Sequence, residues 1–134
     1  MKLPDFHTCL VCEAVRPELR GLFTVLGLFG ALPHVEIGVQ DFSKTASITF
    51  FLLGTPGDGK VKLQAQVRDN AGAILKPEVL LDFEFNPKFK GCVISFFFQN
   101  LVIPKPGTYQ FVLSAEGKEV YRNTFATQPQ PAAK

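Results

Sequence analysis

The fold is decided by the stretch Ile103-Pro104-Lys105-Pro106-Gly107-Thr108-Tyr109-Gln110-Phe111-Val112-Leu113. It opens with a Pro-Gly corner, and apolar and polar residues then alternate, as they do in a β-strand with one buried face. A turn that contains Gly117 follows, and a second alternating segment covers residues 120–125. The pattern therefore predicts a β-hairpin.

Tyr109 stands two residues after the corner glycine, Gly107, and the apolar residue Phe111 follows two positions later. This arrangement resembles the tyrosine corner of immunoglobulin-like sandwiches, in which the phenol hydroxyl binds an upstream backbone group. The resemblance implies a fold, and a fold by itself does not specify a function.

The composition is that of an ordinary globular domain. The chain has 134 residues, of which 19% are charged, and its net charge is +2. This length predicts one domain with a core of its own. The basic residues are scattered along the chain, so we do not expect nucleic acid as a partner. The chain has 14 Phe and no Trp, and we expect most of these Phe to be core residues because Phe needs no polar partner when it is buried.

The amino terminus and the cysteines indicate the compartment. Residues 1–7 lack the apolar run of a secretory signal peptide. The longest apolar run, residues 22–33, is shorter than the roughly 20 residues of a membrane-spanning helix. The three cysteines are an odd number, and a reducing compartment keeps them as thiols. We therefore expect a cytoplasmic protein with no disulfide and no membrane contact.

Six further segments have the character of strands, and one of them, residues 61–68, alternates without exception. With the C-terminal hairpin they predict an all-β fold, an antiparallel β-sandwich of seven or eight strands with immunoglobulin-like or related topology. We place this single domain at residues 1–126. Residues 127–134 contain two prolines and no periodicity, so we expect a disordered tail there. The six segments are residues 6–16, 21–29, 48–53, 61–68, 79–85 and 92–102.

His7, Cys9 and Cys12 suggest a metal site, because Cys-x-x-Cys is a common half of a zinc site. However, residues three apart on a strand point to opposite faces, and no second ligand pair follows in the sequence. A redox role would need the pair to begin a helix, where the thiol pKa is lowered. We therefore expect buried structural thiols and no metal or other cofactor, and keep an activity around these residues as the alternative.

Signatures of catalysis are missing from the sequence. Residues 54–60 lack the Gly-Lys-Ser/Thr ending of a phosphate-binding loop and are better interpreted as a hairpin loop. Asp82 and Glu84 share one face of an alternating strand, where solvated carboxylates are common. We therefore expect no catalytic residues, and the protein is predicted not to be an enzyme.

Five apolar residues cannot all be buried in the single interface between two sheets. Alternation on the predicted strands places apolar side chains on both faces, and a two-layer sandwich covers only one face of each sheet. The other face needs a cover, which is either residues 30–43, a partner protein or a second copy of the chain. These five residues form the candidate interface: Phe51, Leu53, Phe96, Phe97 and Phe98.

Short motifs resemble those of a family of small bacterial proteins of unknown function. The motifs are Cys12-Glu13-x-x-Arg16, Gly21-x-x-Thr24-x-x-Gly27 and Pro106-Gly107-x-Tyr109-x-Phe111. The resemblance implies an all-β domain of bacterial origin and supplies no catalytic residues.

These observations predict a non-catalytic protein-binding or assembly module. Its partner is another protein or a second copy of the chain, which it contacts through a sheet face or a strand edge. The alternative is a small-molecule- or metal-dependent activity around His7, Cys9 and Cys12. Carbohydrate binding is disfavoured, because sugar-binding faces usually display exposed aromatic rings and this chain has no Trp and only two Tyr.

Overall fold

The computed structural model describes residues 2–130 and contains nine β-strands and one short 3₁₀ turn, Leu19–Gly21, in that range. The strands are β1 (Phe6–Pro17), β2 (Phe23–Ala31), β3 (Glu36–Val39), β4 (Thr45–Gly54), β5 (Gly59–Asp69), β6 (Ile74–Phe85), β7 (Cys92–Val102), β8 (Gly107–Ala115) and β9 (Lys118–Pro129).

The strands form two sheets. One has four strands in the order β2-β1-β4-β7, and the other has five in the order β3-β9-β8-β5-β6. The prediction of an all-β fold with two sheets is confirmed. Two details differ from the prediction: the strand β3 was not expected, and it pairs with β9 in parallel, whereas the other pairs are antiparallel. β3 has only four residues, too few for a clear alternating pattern.

The core lies between the two sheets and is rich in aromatic rings. Seven of the 14 Phe are buried. The ring of Phe50 on β4 stacks on that of Phe111 on β8 with centroids 4.4 Å apart. Phe98 on β7 meets Phe50 edge to face at 5.5 Å. Contacts of this kind add to the free energy that burial of the apolar surface supplies, so these rings join the two sheets.

Tyr109 makes the hydrogen bond that the sequence predicts. Its hydroxyl donates to the backbone oxygen of Lys105 at 2.5 Å, and the side chain is buried. Burial raises the pKa of Tyr109, so the phenol stays protonated and able to donate at neutral pH. This bond fixes the start of β8 against the corner that precedes it.

The prediction of a disordered tail at residues 127–134 is partly wrong. β9 continues to Pro129, and residues 127–129 pair with β3. The backbone N–H of Gln130 also donates to the carbonyl of Val39 at 3.0 Å. The pairing with β3 gives these residues an ordered partner that is about 90 positions away in the chain, which no local pattern could reveal. Residues 131–134 of the predicted tail lie outside the described residues.

The hairpin of β1 and β2 folds back over the outer face of the four-stranded sheet. Phe23 pairs with Pro17 of β1, whereas Phe51 on β4 pairs with Leu10 of β1. In a flat sheet these two positions would lie about 23 Å apart, at about 3.3 Å per residue. Their rings nevertheless lie 5.4 Å apart between centroids, so the hairpin must reverse its direction beyond Cys12.

The contacts of β4 show where β1 turns away from the plane of the sheet. Pairing between β1 and β4 ends at Cys12 and Thr49. The side chain of Thr49, on the face opposite the core residue Phe50, donates a hydrogen bond to the carbonyl of Glu13 at 3.1 Å. The backbone of Glu13 therefore already lies above the outer face. We call residues 13–28 the folded hairpin.

Two irregularities allow the bend. The register between β1 and β2 shifts between Val11 and Cys12, and such a bulge bends a strand and increases its twist. On the opposing strand Gly27 has a φ of +64°, a conformation that other residues adopt only with strain. An added Cβ there would also lie 2.7 Å from the side chain of Glu13. Gly27 therefore permits both the backbone conformation and the close approach.

The burial of Phe51 beneath the folded hairpin leads to a prediction about stability. Phe51 is 5% exposed and Phe97 is 49% exposed, although both lie on the outer face of the same sheet. We expect Phe51→Ala to lower the free energy of unfolding by about 3 kcal/mol or more and the matched Phe97→Ala by about 1 kcal/mol. Urea denaturation followed by circular dichroism measures both. Equal losses would show that Phe51 is not covered.

Candidate functional site

Most of the exposed large apolar side chains lie on one side of the molecule. Of eleven among the described residues, only Ile74 and Leu80 belong to the five-stranded sheet. The other nine lie on the four-stranded sheet or on the turn and loop beside it, and we call them the apolar surface. They are Leu19, Leu22, Phe23, Leu26, Leu28, Phe89, Val93, Phe97 and Val102.

β2 is an edge strand without the usual protection. It pairs only with β1 in its sheet, and its sequence, Phe23–Ala31, contains no charge and no proline. Natural edge strands are commonly blocked by charges, prolines or short length. The edge strands of the other sheet follow this rule, because β6 carries Pro77 and four charged residues and β3 is short. β2 therefore differs from both edges of the five-stranded sheet.

β7 is the second edge of the four-stranded sheet, and it too contains neither charge nor proline. β6 of the other sheet contacts β7 extensively across the side of the sandwich, whereas β2 has only a slight contact with β3 of that sheet. β2 is thus the more accessible of the two edges.

A groove of about 360 Å³ lies where the folded hairpin reaches the loop between β6 and β7. Its walls come from the start of β2, the end of β6, the loop at residues 86–91 and the start of β7. We call it the aromatic groove. Its main apolar lining residues are Phe23, Phe83, Phe85, Phe89 and Val93.

Local structure holds these walls in place. Phe83 and Phe85 share one face of β6, and their ring centroids are 4.8 Å apart. A Cβ at Gly57 would lie 2.9 Å from both Phe85 and Pro4, so glycine lets the loop between β4 and β5 pack against the groove. In the opposite loop the Asn86 side chain accepts a hydrogen bond from the backbone of Lys88 at 3.0 Å. This turn presents Phe89 to solvent.

The charges around the groove are of both signs. The exposed charged residues that adjoin lining residues in the chain are Arg20, Asp58, Asp82, Lys88 and Lys90. Glu84 is the only charged residue that lines the groove. The ion pairs within residues 2–130 involve none of these six. They are Arg16–Glu18, Lys76–Glu78 and Glu119–Arg122. The surroundings of the groove therefore carry three cations and three carboxylates and do not favour either sign of ligand charge.

The predicted interface residues separate into core and surface. Phe96 and Phe98 are fully buried between the sheets, so the prediction that they form an interface is wrong for these two. Phe51 is covered by the folded hairpin. The sequence had left three covers open: a partner protein, a second copy of the chain and residues 30–43. That segment instead contributes β3 to the other sheet. Leu53 is partly buried, and Phe97 alone is exposed.

The structure does not bring His7, Cys9 and Cys12 together. Cys9 belongs to the core between the sheets, whereas Cys12 lies on the other face of β1, with its sulfur 3.8 Å from the carbonyl of Thr49. His7 is exposed, and its Nδ1 lies 2.8 Å from the Thr8 hydroxyl. Among residues 2–130 no three His, Cys, Asp or Glu side chains are grouped so that they could hold a metal. The geometry therefore does not support the metal alternative.

Burial makes the thiols poor nucleophiles. It raises the pKa of both Cys9 and Cys12, and it raises the pKa of Cys92 to about 11. Reactive cysteines need the opposite shift, because the thiolate is the nucleophile. Cys92 differs from the other two in that it lines the aromatic groove.

Sequence reasoning missed the aromatic groove and the exposed β2. The signal for β2 was present, because residues 22–33 are the longest apolar run in the sequence. Such a run is usually buried, so by itself it does not indicate an exposed edge. The groove had no signal, because Phe23 and Phe89 are brought together only by the bend in the hairpin.

Comparison with known families adds an identification. A family model described as a family of unknown function (DUF6941) matches residues 7–127. The chain belongs to this family. The match confirms the resemblance found in the sequence motifs, and the part of the chain that fits DUF6941 includes both the folded hairpin and the lining of the groove. A search of curated proteins found no match. Within residues 2–130, no helix has the length and apolar character needed to cross a bilayer.

The thiols yield a pH prediction. Because the raised pKa keeps Cys92 neutral below about 11, its modification by a thiol reagent should still rise about tenfold per unit between pH 8 and 9.5, where an ordinary thiol levels off. Cys9 and Cys12, which are 0% exposed, should react only after denaturation. Peptide mapping by mass spectrometry identifies the modified residue. Fast modification of Cys9 or Cys12 in the native protein would contradict the burial.

Proposed function

We propose that this chain is a non-catalytic protein-binding or assembly module that uses the apolar surface, with the β2 edge at its centre. One observation carries the proposal: the longest apolar run of the sequence contributes an uncharged, exposed edge strand. Leu26 is 44% and Leu28 is 59% exposed on this strand. Clustered exposed apolar residues are unfavourable in water and commonly mark interaction sites.

The chemistry of β2 favours a protein partner. An edge strand offers unpaired backbone N–H and C=O groups, and an added strand from a partner satisfies them. The neighbouring side chains Leu22, Leu26 and Leu28 would then be removed from water at about 25 cal/mol per Å². A strand from another protein and a strand from a second copy of the chain both fit this edge.

The inert state of the potential catalytic groups supports a non-catalytic role. The three thiols are buried with raised pKa values, and both the groove and the β2 edge lack a histidine. Three free thiols also agree with a reducing compartment, which supports the proposal of a cytoplasmic location.

We further propose that the topology is immunoglobulin-like. β4 and β7 are neighbours in one sheet, as strands B and E are in immunoglobulin domains. β9, β8, β5 and β6 follow the order of strands G, F, C and C′ in the other sheet. Tyr109, at the start of β8, has the position and the hydrogen bond of the tyrosine corner near the start of strand F. With β1, the other neighbour of β4, as strand A, β2 and β3 are insertions between strands A and B.

The test compares a charge at the β2 edge with the same charge at the β6 edge. Leu26→Lys and Leu28→Lys place a cation on β2, and Leu80→Lys, whose wild-type side chain is 74% exposed, is the matched control on β6. Each tagged variant is used to capture proteins from a lysate of the source cell, with quantitative mass spectrometry. Light scattering after gel filtration measures self-association, and circular dichroism confirms folding.

We expect one protein, or a second copy of the chain, to associate with the wild type and the Leu80→Lys variant. Association should fall at least tenfold in both β2 variants, because a lysine at the edge must be desolvated by an incoming strand. The proposal would be overturned if the wild-type chain is monomeric and the β2 variants capture the same proteins as the wild type.

A further inference from the structure

We infer that the β2 edge binds a second copy of this chain, and that the β2 strands of the two molecules pair antiparallel around a two-fold axis. The inference rests on the proposed function, because it names the partner of the same edge. The backbone, the apolar side chains and the charges of the folded hairpin each support a different part of it.

Gly27 determines which part of β2 can pair with another strand. Gly27 and Gly30 have φ values of +64° and +143°, which are outside the range of an extended strand. Residues 23–26 lie before both glycines and pair with β1 without a shift in register. This segment therefore has the regular backbone that an antiparallel ladder needs, and its open side has no neighbouring strand in its sheet.

Two-fold symmetry fixes the direction of the second strand. An axis perpendicular to the paired strands relates two identical edges as an antiparallel pair, and each contact then occurs twice. The start of segment 23–26 in one molecule consequently lies beside the end of the same segment in the other. The side chains at the start of the segment must therefore be complementary to those at its end.

Apolar side chains at both ends of the segment meet this requirement. Leu22 and Phe23 stand at its start, and Leu26 and Leu28 stand at or just after its end. Each of the four is at least 44% exposed. The antiparallel pair brings the first two of one molecule against the last two of the other. Apolar cross-strand pairs stabilise a sheet, and this contact removes exposed surface from water at about 25 cal/mol per Å².

The charges of the folded hairpin are also complementary to themselves. Of its four charged residues, Arg16 and Glu18 form an ion pair with each other. Arg20 remains at the tip, before the segment, and Glu13 remains at the base, where its side chain lies against Gly27. Both are exposed, and neither is in an ion pair among residues 2–130. In the antiparallel pair the tip of each hairpin reaches the base of the other, so each Arg20 approaches Glu13 of the second copy.

Charges on other elements do not oppose this contact. Asp41 and Lys44 are the other charged residues that line the depression beside Glu13, and they have opposite signs. The residues around the aromatic groove, near Arg20, carry both signs as well. The pairing of Arg20 with Glu13 therefore favours the antiparallel arrangement, because a parallel arrangement would bring like charges together.

The unprotected edge itself favours a second copy over a different protein. An open apolar edge is an aggregation hazard whenever its partner is absent. A second copy is present wherever the chain is, and a two-fold contact uses the edge in both molecules, so no open β2 edge is left for a third. A different protein covers the edge only while it is bound, and it is the competing outcome of the test.

The test measures the self-association of charge-reversal variants by sedimentation velocity. Concentrations from about 1 µM to 1 mM cover the Kd values expected for an interface below about 1,200 Å². The variants are Arg20→Glu and Glu13→Arg, each alone and both mixed in equal amounts. Lys62→Glu and Asp82→Arg are the matched controls, because these exposed residues face each other on β5 and β6. Circular dichroism confirms that every variant folds.

We expect the wild type and both controls to form dimers with the same Kd. Arg20→Glu and Glu13→Arg should each raise the Kd about tenfold, because both symmetric contacts then place like charges together. Mixing these two variants should restore a dimer within about threefold of the wild-type Kd, as expected for two residues that are coupled. In that mixed dimer each contact again joins opposite charges, so the restoration shows that the two residues meet across the interface.

The inference is wrong if the wild type is monomeric over the whole range, if the charge reversals leave the dimer unchanged, or if mixing them restores nothing. If the chain is monomeric but the β2 variants still lose a captured protein, the module proposal stands and its partner is a different protein. If Leu26→Lys and Leu28→Lys also leave both the dimer and the captured proteins unchanged, the module proposal fails as well.

Discussion

The contact between Phe23 and Phe51 is the interaction on which the surface of this protein depends. It exists because the hairpin of β1 and β2 leaves the plane of its sheet after Cys12 and folds over the outer face of β4. Without this bend Phe51, Thr49 and Cys12 would be exposed on an open sheet. With it, a two-sheet fold acquires a partial third layer over the Thr49 and Phe51 side of one sheet.

The same bend creates the candidate site. Residues 13–28 cover an apolar face, but they expose their own apolar side chains and the backbone edge of β2 in doing so. The tip of the hairpin also reaches the loop between β6 and β7, and this approach forms the aromatic groove. The bend of the hairpin therefore both buries part of the four-stranded sheet and creates the surface that a partner could contact. The bulge between Val11 and Cys12 and the positive φ of Gly27 are its local causes.

Those parts of the fold that depend on neighbouring residues could be predicted from the sequence. The alternation at residues 61–68 and the corner before Tyr109 are local patterns, and both led to correct predictions. The pairing of β3 with residues 127–129 is non-local, so the predicted tail began too early. The burial of Phe51 likewise depends on a bend whose only sign in the sequence is a glycine. Phe96 and Phe98 were assigned to a surface because alternation cannot tell which face of a strand is core when both faces are apolar.

The most direct test of the folded hairpin is an aromatic nuclear Overhauser experiment on the native protein with labelled Phe. The account predicts cross-peaks between the ring protons of Phe23 and Phe51, whose centroids are 5.4 Å apart, alongside the reference cross-peaks of Phe50 and Phe111 at 4.4 Å. If the reference cross-peaks are observed and those between Phe23 and Phe51 are absent, the hairpin does not fold over the sheet, and the groove it forms does not exist.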